Sequence, residues 1–216
     1  MKVISFCLWG NNSKYTVGAI INAELAKTIY PGWTCRYYIG DTVPADIIQK
    51  LSSLDNCEIV KTNTPGDWAG MYWRFLPASD EKVDVMISRD TDSRLNVKEK
   101  VAVDMWINSN FLFHIMRDHP YHGVPILGGM WGAKKGCVQN MAELIKNYSV
   151  GNFWQTDQYF LRDIIYPIVK DKAMVHDPFF EKKPFPIEDD GYFVGQVYES
   201  NGETNQNHLN MRKQIP

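Results

Sequence analysis

The sequence predicts an α/β fold with a mostly parallel central sheet and helices on both of its faces. Short apolar runs alternate with longer segments in which apolar residues recur every three or four positions. Such alternation is typical of right-handed strand-helix-strand units, whose ligands lie beyond the carboxyl ends of the strands. A length of 216 residues with 44% hydrophobic residues suits a single domain with an ordinary core.

The first half of the chain predicts a β-α-β-α-β order. Val17, Ile21 and Leu25 mark one face of the first helix, and a Pro-Gly pair at 31–32 ends it. A proline at position 44 suits the first turn of the second helix. The predicted elements are a strand at 3–8, a helix through 29, a strand at 35–39, a helix over 44–54 and a strand at 58–60.

The second half continues the pattern and ends in a loop-rich region. Residues 83–88 predict a central strand, and from residue 178 onward we expect loops and a polar, mobile tail. Between and after these lie a helix at 97–107, a strand at 124–127, a glycine turn at 128–132, a helix over 138–148, a helix from 156 or 157 through 165, a strand at 173–176 and a last strand at 192–198.

Composition excludes several classes of protein. A net charge of -2 gives no basic field for nucleic acid, so no nucleic-acid partner is predicted. The four cysteines are scattered, which predicts reduced thiols in a cytosol-like compartment, with no disulfide and no zinc site. The apolar run at 3–9 is too short to span a membrane. Aromatic residues reach 13%, which fits either a sugar-binding cleft or an aromatic core.

The strongest functional pattern is Asp90-Thr91-Asp92, which follows the predicted strand at 83–88. Two carboxylates one residue apart at a strand end can bind Mg²⁺ or Mn²⁺ and leave positions for phosphate oxygens. The same tripeptide also occurs by chance on solvated surface loops. Its place after an apolar strand favours the metal-binding interpretation.

With this motif the chain resembles the GT-A type nucleotide-sugar glycosyltransferases, in which an Asp-x-Asp follows the fourth strand of a Rossmann-like sheet. Three further stretches occur in the order that such enzymes show, at 72–75, 128–132 and 156–158. The resemblance covers about residues 1–177, and the first ten residues resemble enzymes of this family that decorate viral capsid glycans. It implies a GT-A fold, a UDP-sugar donor, a glycan acceptor and Mn²⁺ or Mg²⁺ as cofactor.

The resemblance also implies roles for individual residues. One domain would fill 1–216, with a nucleotide-binding half of about 1–95 and a half for the donor and acceptor sugars at 96–216. Plain core packing is the alternative for Trp9. The nucleotide-binding residues implied are Leu8, Trp9, Gly10, Tyr15, Arg74, Asp90 and Thr91.

Arg74, Asp157 and Gln158 are the implied catalytic residues. Arg74 would hold the diphosphate or order the Asp-x-Asp loop, unless it forms an ordinary surface ion pair. Asp157 would bind the reacting face of the donor sugar, with helix capping as the alternative. The implied sugar-binding residues are Gly128, Gly129, Trp131 and Asp157, although a tight turn without function would also explain the glycines.

Asp90, Asp92 and His176 are the implied metal ligands. His208 is a close competitor for the third position, because histidine ligands in several families of this type come late in the chain. His176 is favoured as the third ligand, since the predicted sheet places it better. His114, His119 and His122 match no zinc-protease spacing and are interpreted as structural or surface residues.

The function expected is metal-dependent transfer of a hexose or deoxyhexose from a UDP-sugar to a glycan hydroxyl, with retention of configuration, in viral capsid glycan synthesis in the host cytoplasm. A sugar-phosphate nucleotidyltransferase and a non-catalytic glycan-binding module are the alternatives. The motifs of serine hydrolases, P-loop ATPases and dinucleotide oxidoreductases are absent from the sequence. The loop-rich end fits either a segment of a longer multidomain chain or a free tail.

Overall fold

The computed structural model describes residues 1–148, 151–188 and 191–213. Its described part contains a seven-stranded sheet with the strand order β3-β2-β1-β4-β6-β5-β7. The strands are β1 (Lys2–Leu8), β2 (Thr34–Ile39), β3 (Cys57–Lys61), β4 (Val85–Ser88), β5 (Phe113–Met116), β6 (Trp131–Lys134) and β7 (Ala173–His176).

Helices connect most of the strands. The α-helices are α1 (Ser13–Ile29), α2 (Ala45–Ser52), α3 (Val97–Ile107), α4 (Met141–Asn147), α5 (Thr156–Phe160), α6 (Tyr166–Val169) and α7 (Gln206–Lys213). A 3-10 helix (Trp68–Ser79) precedes β4, a π-helical turn (Leu161–Ile165) joins α5 to α6, and a short 3-10 turn (Lys170–Lys172) leads into β7. None of the helices in these described ranges is both long and apolar enough to cross a membrane.

The sheet is mostly parallel, as predicted. β1 pairs in parallel with β2 and β4, β2 pairs in parallel with β3, and β5 pairs in parallel with β7. β6 is antiparallel to both of its neighbours, β4 and β5. All strands except β6 therefore point the same way, and their carboxyl ends lie along one edge of the sheet.

Two apolar cores cover the two faces of the sheet. Alternate residues of β1 enter different cores: Ile4 and Phe6 pack with α1, α2 and α3, whereas Val3 packs with the 3-10 helix, α4 and the helical segment that starts with α5. The expectation of helices on both faces is therefore confirmed. Because both faces are covered, the central strands have continuous apolar sequences rather than alternating apolar and polar residues.

The strand predicted at 124–127 is wrong, since those residues form a loop. Their apolar character reflects burial of the loop, in which Ile126 is fully inaccessible. The structure instead has β5 and β6, which the pattern missed because β6 contains Gly132 and Ala133, residues that are rare in strands. Gly132 is required there, since a Cβ atom would lie 2.9 Å from the Met86 carbonyl oxygen.

The C-terminal region also differs from expectation. The strand predicted at 192–198 is reduced to two isolated bridges, Ser93 with Val197 and Tyr198 with Thr204. The segment expected to be a mobile tail contains α7, whose Arg212 Nη2 donates to Asp118 Oδ1 at 3.3 Å. Residues 214–216 of the expected tail lie outside the described residues.

Replacing Trp131 should test the second core. Trp131 is fully buried, stacked on Phe113 with ring centroids 5.2 Å apart, and in edge contact with Phe75. Trp131→Ala is expected to lower the free energy of unfolding by about 3–5 kcal/mol in urea titrations, because it leaves a cavity among rigid aromatic rings. Trp154→Ala is the matched control; its side chain is 65% exposed, so it should change stability by about 0.5 kcal/mol or less. Equal losses would contradict this packing.

Candidate functional site

A cavity of about 550 Å³ opens where β1 and β4 end. It lies at the sheet edge where the sequence places functional residues, and it collects side chains from positions 7 to 197 of the chain. Most of the predicted site residues line it, namely Leu8, Trp9, Gly10, Tyr15, Arg74, Asp90, Thr91, Asp92, Gly128, Asp157 and Gln158.

Arg74 connects the two acidic segments of the cavity. Its buried guanidinium donates from Nη1 to Asp90 Oδ1 at 2.5 Å and from Nη2 to Asp157 Oδ2 at 2.7 Å. Nη1 also lies 3.6 Å from the Cys7 sulfur. Burial alone lowers the pKa of Arg74, but the carboxylates more than offset it, so the pKa lies above its ordinary value. Arg74 is therefore permanently charged and fixes Asp90 relative to Asp157.

Arg74 points into the cavity because other residues of the 3-10 helix and its cap are fixed by contacts outside the cavity. Asp67 caps the helix by accepting a hydrogen bond from the Ala69 amide. Phe75 is fully buried in the second core, and the Tyr72 hydroxyl lies 2.8 Å from Thr156 Oγ1 at the start of α5. The helix that carries Arg74 is thus joined directly to the helix that carries its partner Asp157.

The turn Gly128-Gly129 lies against this ion-pair network. A Cβ atom at Gly128 would come within 2.4 Å of both Arg74 Nη2 and Asp157 Oδ2, and one at Gly129 within 2.1 Å of Asp90 Oδ2. The Gly128 carbonyl accepts from Ser88 Oγ at 2.7 Å, which attaches the turn to the end of β4. The glycines therefore let the backbone pack on the charged side chains. Gly128 lines the cavity, whereas Gly129, which the resemblance also assigned to sugar binding, is absent from the described lining.

Two further predicted site residues, Trp131 and His176, lie away from the cavity. Trp131 is buried in the second core and is absent from the cavity wall. His176 is buried at the end of β7, where its Nδ1 lies 2.7 Å from His114 Nε2. The competitor His208 lies in α7, with its ring 5.5 Å from that of His119. Within the described ranges, no three His, Cys, Asp or Glu side chains form a metal-binding group.

His122 lines the cavity, although the sequence suggested only a structural or surface role. Its Nδ1 accepts a hydrogen bond from the Asp118 amide at 3.0 Å. Burial, followed by the nearby His119 and Arg117, lowers the pKa of His122 to about 3, so the ring is neutral at physiological pH. No spacing in the sequence could reveal this residue, because a loop between β5 and β6 brings it to the cavity.

The cavity carries an excess of negative charge. The described cavity wall contains three carboxylates, those of Asp90, Asp92 and Asp157. Arg74 is the single Lys or Arg in that wall. Lys14 approaches Asp92 from α1 with an Nζ–Oδ2 distance of 3.4 Å. Burial and then the neighbouring Asp90 nevertheless raise the pKa of Asp92 to about 6. Hard carboxylate oxygens with unbalanced charge are suited to a divalent cation.

Comparison with solved structures shows which proteins share this architecture. A glycosyltransferase involved in the glycosylation of the major capsid of PBCV-1 superposes with a TM-score of 0.56 over 82% of each chain, at 16% identity. The chain has the GT-A fold. A second structure with this GT-A fold, glucosyl-3-phosphoglycerate synthase from Mycobacterium tuberculosis in complex with UDP, gives a TM-score of 0.50 over 81% of this chain and 69% of that one, at 12% identity. No protein-family model and no curated protein matches the sequence.

Asp92→Asn should change how stability depends on pH in the metal-free protein. The carboxyl of Asp92 has a pKa of about 6 in the folded chain against an ordinary value of 3.8. The folded state therefore binds more protons between these values, and the contribution of Asp92 to stability falls as pH rises through that window. Asp92→Asn is expected to be more stable than wild type by about 1–3 kcal/mol at pH 7.5, and equal to it below about pH 4.

Urea titrations in EDTA from pH 3.5 to 8 measure this difference. Asp55→Asn serves as the control, because the Asp55 side chain is 90% exposed and should give no pH-dependent difference. A destabilised Asp92→Asn at pH 7.5 would show that the Lys14 ion pair outweighs burial and the repulsion from Asp90.

Proposed function

We propose that this protein is a glycosyltransferase that moves a hexose or deoxyhexose from a UDP-sugar to a glycan hydroxyl. The observation that carries the proposal is the Arg74 bridge, which holds Asp90 and Asp157 in one cavity at the carboxyl edge of a GT-A sheet. An Asp-x-Asp loop and a helix-borne carboxylate, fixed by one buried guanidinium, suit a diphosphate donor whose sugar lies between them. The fold shared with known glycosyltransferases supports the reaction class.

Asp90 and Asp92 would hold Mn²⁺ or Mg²⁺, and the excess of carboxylates over cationic side chains in the cavity fits such an ion. When bound, the ion neutralises charge that grows on the departing diphosphate. Side-chain exposures of 37% for Asp90 and 16% for Asp92 leave oxygens accessible from the cavity. The proposed protein ligands are these two carboxylates, since neither His176 nor His208 lines the cavity.

The nucleoside would lie against the end of β1 and the start of α1. Gly10 has a φ of 70°, and its amide donates to Thr42 Oγ1 at 2.8 Å, which fixes the turn after β1. Tyr15 is 39% exposed and offers a ring for the base, while Trp9 packs edge-on against Trp73. Thr91 also lines the cavity, and Asn22 of α1 holds its backbone by donating from its side chain to the Thr91 carbonyl.

Asp157 would shape the face of the sugar at which the acceptor attacks. Arg74 donates to its Oδ2, and the Gln158 amide donates to its Oδ1 at 2.9 Å. Burial raises the pKa of Asp157, and Arg74 opposes this effect. With both oxygens bound, Asp157 is suited to stabilise positive charge at the anomeric carbon rather than to act as a free base. We therefore propose retention, with the acceptor proton passing to the departing phosphate on the same face.

The proposal extends to the organisation and setting of the protein. Residues 1–95 would supply most of the nucleotide contacts, and 96–216 the sugar contacts, within one domain. The fold shared with an enzyme of PBCV-1 capsid glycosylation supports a place in viral capsid glycan synthesis. The proposed location is the host cytoplasm, as expected from the scattered cysteines. The nucleotidyltransferase alternative gains no support, since Lys14 after the first strand contacts Asp92 and Glu199.

Nucleotide binding tests the donor class. Thermal-shift measurements with UDP, GDP, CMP and TDP, each with and without Mn²⁺, should give a Mn²⁺-dependent rise in melting temperature with UDP, because a ligand that binds only the folded state stabilises it by mass action. Asp92→Asn should abolish the rise, and Asp55→Asn should retain it. No shift with any nucleotide would overturn the proposal and favour a glycan-binding module.

Turnover tests the role of Asp157. With a panel of UDP-hexoses, Asp157→Asn is expected to lower the rate of UDP release by at least about 100-fold while the Mn²⁺–UDP thermal shift persists, because the variant loses charge at the reacting face. Asp163→Asn, on the same helical segment and exposed, is the control. An NMR assay of the sugar first released should show the anomeric configuration of the donor; the opposite anomer would contradict retention.

A further inference from the structure

Two indole side chains stand exposed at the rim of the cavity. Trp154 is 65% exposed and Trp68 is 44% exposed, and both belong to the cavity wall. Trp106 and Trp131, by contrast, are fully buried in the two cores. Tryptophan is rarely left this open to water, because its large apolar surface gains free energy when covered. Two such rings at the mouth of one cavity indicate a ligand that covers them.

The two segments that carry these indoles are tied to each other. Asn152 Nδ2 donates to Asp67 Oδ2 at 2.6 Å, and the Ala69 amide donates to Asn152 Oδ1 at 3.1 Å. Asn152 therefore bonds to the residues on both sides of Trp68 and lies two positions before Trp154. A side chain that joins both segments keeps the rings in a fixed relation, which lowers the entropic cost of binding a ligand between or across them.

Trp154 lies close to the proposed reacting face. Only two residues separate it from Asp157, so their Cα atoms are at most about 11 Å apart. Gln155, which lines the cavity between them, has a φ of 68°, a left-handed conformation that is uncommon for a residue other than glycine. The backbone thus turns sharply between the exposed indole and the carboxylate.

We propose that Trp68 and Trp154 form an acceptor platform that stacks on the apolar C–H faces of the pyranose rings of a neutral glycan. This inference rests on the proposed function, in which the acceptor approaches Asp157. Pyranose rings expose C–H groups on their faces, and the electron-rich face of an indole attracts them. The platform lies at the mouth of the cavity, where an acceptor must enter once a donor fills the interior.

The charge of the cavity indicates that the glycan is neutral. Arg74 is the single Lys or Arg in the described part of the wall, and both of its terminal nitrogens are occupied by carboxylates. His122 is neutral, since its pKa is lowered to about 3 by burial. With the cation and the anionic diphosphate of the donor bound at Asp90 and Asp92, a phosphorylated, sulfated or uronic acid acceptor would meet Asp157 and the diphosphate without a free Lys or Arg in the described wall, and like charges repel at this range.

An oligosaccharide array tests the platform directly. Wild type with UDP and Mn²⁺ is expected to bind neutral hexose-containing oligosaccharides in preference to acidic ones, and Trp154→Ala to lose at least about tenfold of that signal. Trp68→Ala should also weaken it, and Trp154→Phe, which keeps an aromatic face, should restore most of it. Phe111→Ala is the matched control: Phe111 is 43% exposed but precedes β5, at the opposite edge of the sheet.

The Mn²⁺–UDP thermal shift, measured on the same variants, separates this inference from the proposed function. Trp154→Ala and Trp68→Ala should keep the wild-type shift while glycan binding falls. When wild type shows the thermal shift, three results would overturn the platform and leave the proposed function standing. These are that no glycan binds, that acidic glycans bind more tightly than neutral ones, or that Trp154→Ala binds glycans normally. A lost shift in Trp154→Ala would assign the indole to the nucleotide and likewise overturn the platform. Without any wild-type shift the proposed function fails, whether or not glycans bind.

Discussion

The buried guanidinium of Arg74 is the interaction on which the site depends. Asp90 and Asp157 stand 67 positions apart on different elements, and one side chain holds both. Removing two carboxylates from water is costly, and their association with a buried cation repays that cost only when the geometry is good. The surrounding structure supplies that geometry: the 3-10 helix is capped by Asp67, and the glycine turn at 128–129 leaves room for the ion pairs.

The same constraint explains why the cavity is acidic and yet ordered. Arg74 balances part of the charge of the three carboxylates. Burial, and then the proximity of Asp90, raises the pKa of Asp92 to about 6. Burial of Asp92 beside Asp90 disfavours its charged form, which lowers the stability of the metal-free folded protein at neutral pH. Binding sites that hold like charges together commonly lower the stability of the folded protein in this way.

Sequence patterns predicted the parallel half of the sheet and the parts of the site attached to it. The residues 3–8 and 83–88 had clear apolar runs, so the positions of Gly10 and Asp92 at strand ends followed directly. The antiparallel strand β6 was not predicted, because Gly132 and Ala133 are uncommon in strands. Trp131 was misplaced for the same reason: in a strand its side chain points into the core, whereas in a turn it would face the cavity. His122 and the exposed Trp154 reach the site through loops, and Trp68 reaches it at the first residue of the 3-10 helix; the paths of these segments are set by tertiary packing.

The antiparallel direction of β6 has a consequence for how this sheet edge can change. Trp131, the first residue of β6, pairs with Ser88, the last residue of β4, so one chain segment enters the sheet where the other leaves it. The Asp-x-Asp loop and the glycine turn are therefore neighbours by strand pairing alone, without an intervening helix. Insertions in the long connection between β5 and residue 128 could lengthen or reshape the mouth of the cavity, while the register of β6 against β4 would keep the Asp-x-Asp loop and the glycine turn together.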